Sequence, residues 1–125
     1  MTQSLPERIV EAWNTKMMPA VLTTVDKNGE PNSIYCAFGT LLEGGQFAFV
    51  DLYFDKTKAN IDAGSRGSLL IFKDGKTSYQ LKGSFEYMDE GEVFEQLVKT
   101  VPPNFQARGA VLLTVDKIYC GADEV

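Results

Sequence analysis

Ala20-Val21-Leu22-Thr23-Thr24-Val25-Asp26-Lys27-Asn28-Gly29-Glu30-Pro31-Asn32 sets the architecture of this chain. Its first six residues are apolar or β-branched, the composition of a strand packed on at least one face. Asn28-Gly29 follows closely, and Asn-Gly between two such runs predicts a two-residue type I′ hairpin turn, with positive φ at both positions. The return strand runs from Pro31 to Leu42, Gly44-Gly45 marks a second turn, and Gln46 to Leu52 makes a third strand. Farther along, Asp74-Gly75 joins Ser68–Phe72 to Thr77–Tyr87 as another hairpin. In the second of these runs Tyr79, Leu81, Phe85 and Tyr87 share one face, and Gln80, Lys82, Ser84 and Glu86 the other. That alternation predicts one buried and one wetter side. Gly83 falls on the apolar side, a place for a bulge or for close approach of another backbone. Ala110 to Val115 reads as a final buried strand.

Helices punctuate the strands. Ser4-Leu5-Pro6-Glu7 has the form of a capping box, with Ser4 as N-cap, ahead of Ile9, Val10 and Trp13 on one helical face. Trp13 reads as core rather than as a ligand platform. Thr57 to Ala63 is a short helix closed at Gly64. Asp89-x-x-Glu92 opens another, whose Val93, Phe94, Leu97, Val98 and Val101 form an apolar stripe for core packing before Pro102-Pro103 ends it. No repeat or linker interrupts the pattern. The expectation is one domain over residues 1–125: mainly β, a small antiparallel barrel, closed or nearly closed, with two to three peripheral helices.

Composition narrows the function. The 125 residues, 44% apolar and 23% charged, are enough for a single globular core. The formal charge of −5 comes without a segregated basic face, which argues against a nucleic-acid partner but leaves room for a local anion site. The N-terminus lacks a basic region followed by an apolar run, and no stretch approaches the ~20 apolar residues of a membrane span. Cys36 and Cys120 are far apart and form no metal-type pair, so reduced thiols in a cytoplasm are expected. There is no histidine. Imidazole-based nucleophile systems, typical zinc sites and histidine-ligated haem are therefore set aside, and difficult chemistry would belong to a cofactor.

Asp51-Leu52-Tyr53-Phe54-Asp55-Lys56-Thr57-Lys58-Ala59-Asn60 is the segment richest in chemistry. A strand ends near Leu52 and a helix starts near Thr57. Unpaired N–H groups at that start, the Lys56 charge and the Thr57 hydroxyl are all suited to a phosphate. A capped surface helix with solvated side chains accounts for the same residues, and the segment alone leaves both readings open.

The whole chain, however, resembles the pyridoxamine phosphate oxidase-like family of FMN-binding split barrels. The likeness spans roughly Met17 to Cys120 and rests on the opening strand–turn–strand, on Lys56-Thr57-x-x-Asn60 and on Tyr79-Gln80-Leu81-Lys82-Gly83. In that order these motifs are fairly specific for the family and specific for no one reaction. The resemblance implies FMN as cofactor, with its phosphate on Lys56 and Thr57. It places Tyr35, Cys36 and Ala37 beside the isoalloxazine, and Asp51 and Leu52 near the ribityl chain and ring edge. It also implies a homodimer with flavin at the interface, Asn104-Phe105-Gln106 reaching across to the partner's flavin. Phe105 reads equally as core, Arg66 as a recurrent basic position or a solvated arginine, and Cys36 as a small pocket-lining residue rather than a redox thiol. Relatives that oxidise pyridoxamine phosphate use a C-terminal Arg and His, and haem-handling relatives also use histidine, so neither activity is expected. Deazaflavin-binding relatives share the barrel, but Lys56-Thr57 favours FMN. Two functions follow: an oxidoreductase or electron carrier with a small-molecule donor or acceptor, or a non-catalytic module holding FMN or another phosphorylated ligand.

Overall fold

The computed structural model, which describes residues 5–16 and 18–125, pairs Ala20–Val25 (β1) with Pro31–Cys36 (β2), in register from Ala20↔Cys36 to Val25↔Pro31. The turn between them is not type I′. Among the described residues only glycines have positive φ, so Gly29 (φ 84°) takes the left-handed conformation and Asn28 does not. Gly29 N–H donates to the Asp26 carbonyl, and Asp26 N–H to the Glu30 carbonyl, each at 3.0 Å. The result is a three-residue loop with glycine at the bulge position. Asp26 selects it: its Oδ1 accepts from the Asn28 and Glu30 N–H groups at 2.8 and 2.9 Å.

The return strand is also shorter than expected. It breaks after Cys36, and Gly39–Leu41 (β3) pairs instead with Phe47–Asp51 (β4). With Arg66–Phe72 (β5), Ser78–Met88 (β6) and Gly109–Cys120 (β7), the sheet order is β2-β1-β5-β6-β7-β4-β3, and Asp123–Glu124 (β8) adds to β7. β2 and β3 are thus the two ends of one curled antiparallel sheet, joined directly by Ala37-Phe38. The fold is a split β-barrel with, among the described residues, three helices: Glu7–Thr15 (α1), Lys56–Asp62 (α2) and Glu92–Val98 (α3).

Gly83 shows why the sheet can curl. Lys82 faces Lys117 while the next residue, Gly83, faces Val115, so Asp116 is an extra residue and the ladder bulges. A Cβ on Gly83 would lie 1.9 Å from the Thr114 carbonyl oxygen. The final strand extends past the expected Val115 to Cys120 because Tyr79–Lys82 pairs with its second half.

β4 is buried on both faces. Phe47 and Phe49 enter the main core with Leu22, Leu69, Leu81 and Leu113, whereas Ala48 and Val50 join Leu97 and Leu112 in a second cluster under α3. α1 adds Ile9 and Ala12 to the main core, and Trp13 meets Phe47 and Phe49 edge-on at 4.9 and 6.0 Å between centroids. Ser4, the expected N-cap, lies outside the described residues; the Pro6 carbonyl accepts from Ile9 and Val10 at the helix start. Among the described residues no side chain caps α3, which begins after Gly91, so Asp89 does not serve as its cap. Only part of its stripe is core: Phe94, Leu97 and Val101 pack inward, and Val93 and Val98 are exposed. No helix among the described residues is long and apolar enough to cross a membrane.

Candidate functional site

The sequence places Ala37-Phe38 where the two sheet ends meet, and a cleft of about 530 Å³ opens along that seam. Its walls come from Asn32, Ile34, Tyr35 and Cys36 of β2, from Ala37 and Phe38, from Val50 of β4, from the Leu52–Thr57 segment, and from Phe105. Most of this lining is apolar. Phe105 leans on Phe38, with ring centroids 5.5 Å apart, so it reaches the cleft of its own chain. Val50 N–H donates to the Phe38 carbonyl at 3.0 Å, which ties the crossing residues to β4.

Polar groups gather at one end. Lys56 and Thr57 open α2, and no side chain caps that helix start among the described residues. Thr57 Oγ1 accepts from Asn32 Nδ2 at 2.9 Å, which leaves the Thr57 hydroxyl proton free for an acceptor. No carboxylate pairs with the Lys56 ammonium among the described residues. Two features hold α2 in place. Asn60 Nδ2 donates to Thr24 Oγ1 at 2.9 Å within the interior. At the other end Gly64 (φ 92°) closes a Schellman turn, Ser65 N–H reaching the Asn60 carbonyl at 2.9 Å and Gly64 N–H the Ile61 carbonyl at 3.0 Å.

Of the residues expected from sequence, Tyr35, Cys36, Ala37, Leu52, Lys56, Thr57 and Phe105 line this one cleft. Asp51 and Gln106 do not. The Asp51 carboxylate is fully buried and turned away, accepting from the Phe54 N–H at 2.8 Å, the Tyr87 hydroxyl at 2.7 Å and Arg108 at 3.1 Å. Burial and that carboxylate push the Tyr87 phenol up, so it stays a donor. Burial likewise pushes the Cys36 thiol up to about 12 and keeps it neutral. Arg66 stands outside the cleft, exposed and paired with Asp116 at 2.7 Å.

The sequence reading missed Asn32, Ile34 and Val50 as lining residues. Asn32 had one available signal: it is the second residue of the strand after the hairpin, opposite Thr24. Its partner Thr57 lies 25 positions away, beyond any local pattern.

Comparison with known proteins adds to the geometry. The sequence model for pyridoxamine 5'-phosphate oxidase matches residues 5–120. An uncharacterised protein of Methanocaldococcus jannaschii is 28% identical over 120 residues, which is 92% of this chain and 79% of that protein. HupZ of group A Streptococcus has the same shape, with a TM-score of 0.83 at 19% identity and 98% of each chain covered. An FMN-binding protein of Syntrophomonas wolfei gives 0.72 at 20% identity, covering 88% of this chain and 81% of its own. At such identities the two structures speak for the split barrel alone. The match across residues 5–120 goes further, and by it this chain belongs to the pyridoxamine 5'-phosphate oxidase family.

Proposed function

We propose that this chain binds FMN in the seam cleft as a homodimer and acts as an oxidoreductase or electron carrier. One observation carries the reading: seven residues that family resemblance assigns to FMN converge on one cleft. The residues present suit the cofactor. A volume of about 530 Å³ lies within the ~300–1,000 Å³ usual for small-molecule sites, and an apolar slot with one polar end matches a tricyclic ring carrying a phosphate. Lys56 would hold that phosphate as a charge partner and Thr57 as a hydroxyl donor. Tyr35, Cys36, Ala37, Leu52 and Phe105 would flank the ring and exclude water. When bound, FMN supplies the electron-transfer chemistry. Tyr35 and Tyr53, 66% and 79% exposed, stand on the cleft lining and give a second copy of the chain an apolar surface to cover. A cytoplasmic setting with reduced thiols goes with this reading.

Fluorescence titration tests it. Added FMN should lose fluorescence or change its polarisation on binding, and should bind more tightly than riboflavin. Failure of FMN to bind would overturn the reading.

A second reading, a module that holds FMN without turnover, draws on the Cys36 thiol. It is a titratable group in the cleft wall, yet burial keeps it neutral, and the chain has no histidine to move protons. Anaerobic addition of NADH or NADPH, followed by an acceptor, separates the two. Bleaching by either donor and recovery of the flavin band with the acceptor supports turnover; a band inert to both donors supports the module.

A further inference from the structure

Behind the cleft, the Asp51 carboxylate has a partner on every side. Its Oδ1 accepts from Phe54 N–H at 2.8 Å and from Arg108 Nη2 at 3.1 Å, and its Oδ2 accepts from the Tyr87 hydroxyl at 2.7 Å. The same Arg108 nitrogen donates to the Phe54 carbonyl, and Arg108 N–H donates to the Asp51 carbonyl at 2.8 Å. Gly109 faces Asp51 across the strands, and a Cβ there would lie 2.2 Å from the Tyr87 hydroxyl oxygen. The missing side chain is what lets Tyr87 reach the carboxylate. The Tyr87 ring also lies 4.6 Å from the Lys58 ammonium of α2, so it touches both the strand end and the helix. None of Asp51, Tyr87 and Arg108 lines the cleft.

We propose that Asp51, Tyr87 and Arg108 are positioning residues: together they fix the turn at Leu52–Asp55 and so set the apolar wall at a defined distance from Lys56 and Thr57. The proposal rests on the FMN-binding reading above. Its logic is geometric. Only four residues separate Asp51 from Lys56, and the backbone of one of them, Phe54, is held at both its N–H and its carbonyl by this cluster. Release of the turn lets wall and phosphate end move independently. A ligand that must meet both then loses the advantage of a preformed site. Asp51 acts through the turn, not on the ligand.

The test is titration of FMN and of riboflavin into wild type, Tyr87→Phe, Arg108→Gln and Arg108→Lys. Tyr87→Phe keeps the ring under Lys58 and removes only the hydroxyl. It should weaken FMN binding about tenfold, equivalent to ~1.4 kcal/mol. Riboflavin, which has no phosphate to align, should lose less, so the ratio of the two affinities falls. Arg108→Gln should act in the same direction, and Arg108→Lys should recover part of the loss. Wild-type FMN affinity in Tyr87→Phe and Arg108→Gln would overturn the positioning role. Equal losses for both ligands would also overturn it, because general destabilisation moves both alike. A wild-type chain that binds no FMN would instead overturn the functional reading, and this inference with it.

Discussion

Lys56 is the residue whose role is easiest to isolate. It lines the polar end of the cleft, and no carboxylate pairs with it among the described residues. A charge-assisted contact is worth ~1.5–3 kcal/mol, so Lys56→Ala should cost FMN about one to two orders of magnitude in affinity. Riboflavin affinity should change little; equal losses for both would assign Lys56 to folding. Cys36 gives a pH test. Its folded-state pKa is raised from the ordinary thiol value of 9.0 to about 12 by burial. The neutral thiol therefore favours the native state below pH 9, and that stability is lost as pH rises toward the folded value. Between about pH 8 and about pH 10.5 wild type should lose ~2 kcal/mol that Cys36→Ala retains, read as the difference in urea midpoints. A parallel decline in both would contradict the assignment. Lys56 and Thr57 were legible in the sequence because strand end and helix start are neighbours in the chain. The orientation of Asp51 was not, since it is set by Tyr87 and Arg108, 36 and 57 positions away.

At the scale of elements, glycines separate backbone constraint from open space. Gly83 lies against the Thr114 carbonyl at the bulge, and no side chain can move aside to admit a Cβ. Gly83→Ala should destabilise the fold by ~2 kcal/mol or more, whereas Gly75→Ala, with nothing within 4 Å among the described residues, should stay within ~0.5 kcal/mol. Chemical denaturation of the pair decides the point, and equal midpoints would contradict the close approach. The alternation of Tyr79, Leu81, Phe85 and Tyr87 made this strand and its glycine legible in advance. The break after Cys36 was not legible, because apolar residues continue across Ala37-Phe38. What breaks the strand is a change of partner: β2 pairs with β1 and β3 with β4 at the other end of the sheet. Strand pairing of that kind leaves no mark on local composition. The hairpin type was missed for a different reason: Asn-Gly signalled a turn, and the Asp26 side chain, one residue before Lys27, chose which one.

For the whole molecule, the split barrel leaves its cleft with exposed tyrosines at the rim, and a second copy is the proposed cover. Sedimentation of the holo-protein should give about twice the 13.8 kDa chain mass, and a monomer at micromolar concentration would refute the interface site. Phe105, packed at a tilt against Phe38 within the cleft of its own chain, offers a complementary test. Phe105→Ala should raise the flavin dissociation constant and alter the fluorescence of the bound ring, while the preference for FMN over riboflavin persists. Loss of that preference would place Phe105 at the phosphate end instead. The curled sheet, the helix before Gly64 and the family were readable from sequence; the seam that unites them required the strand order. Whether this cleft is an FMN site can be read from the visible spectrum of the purified protein. The protein should be yellow, with flavin absorption, and should release FMN, and not FAD, on denaturation. A colourless protein that also fails to take up added FMN would contradict an FMN site.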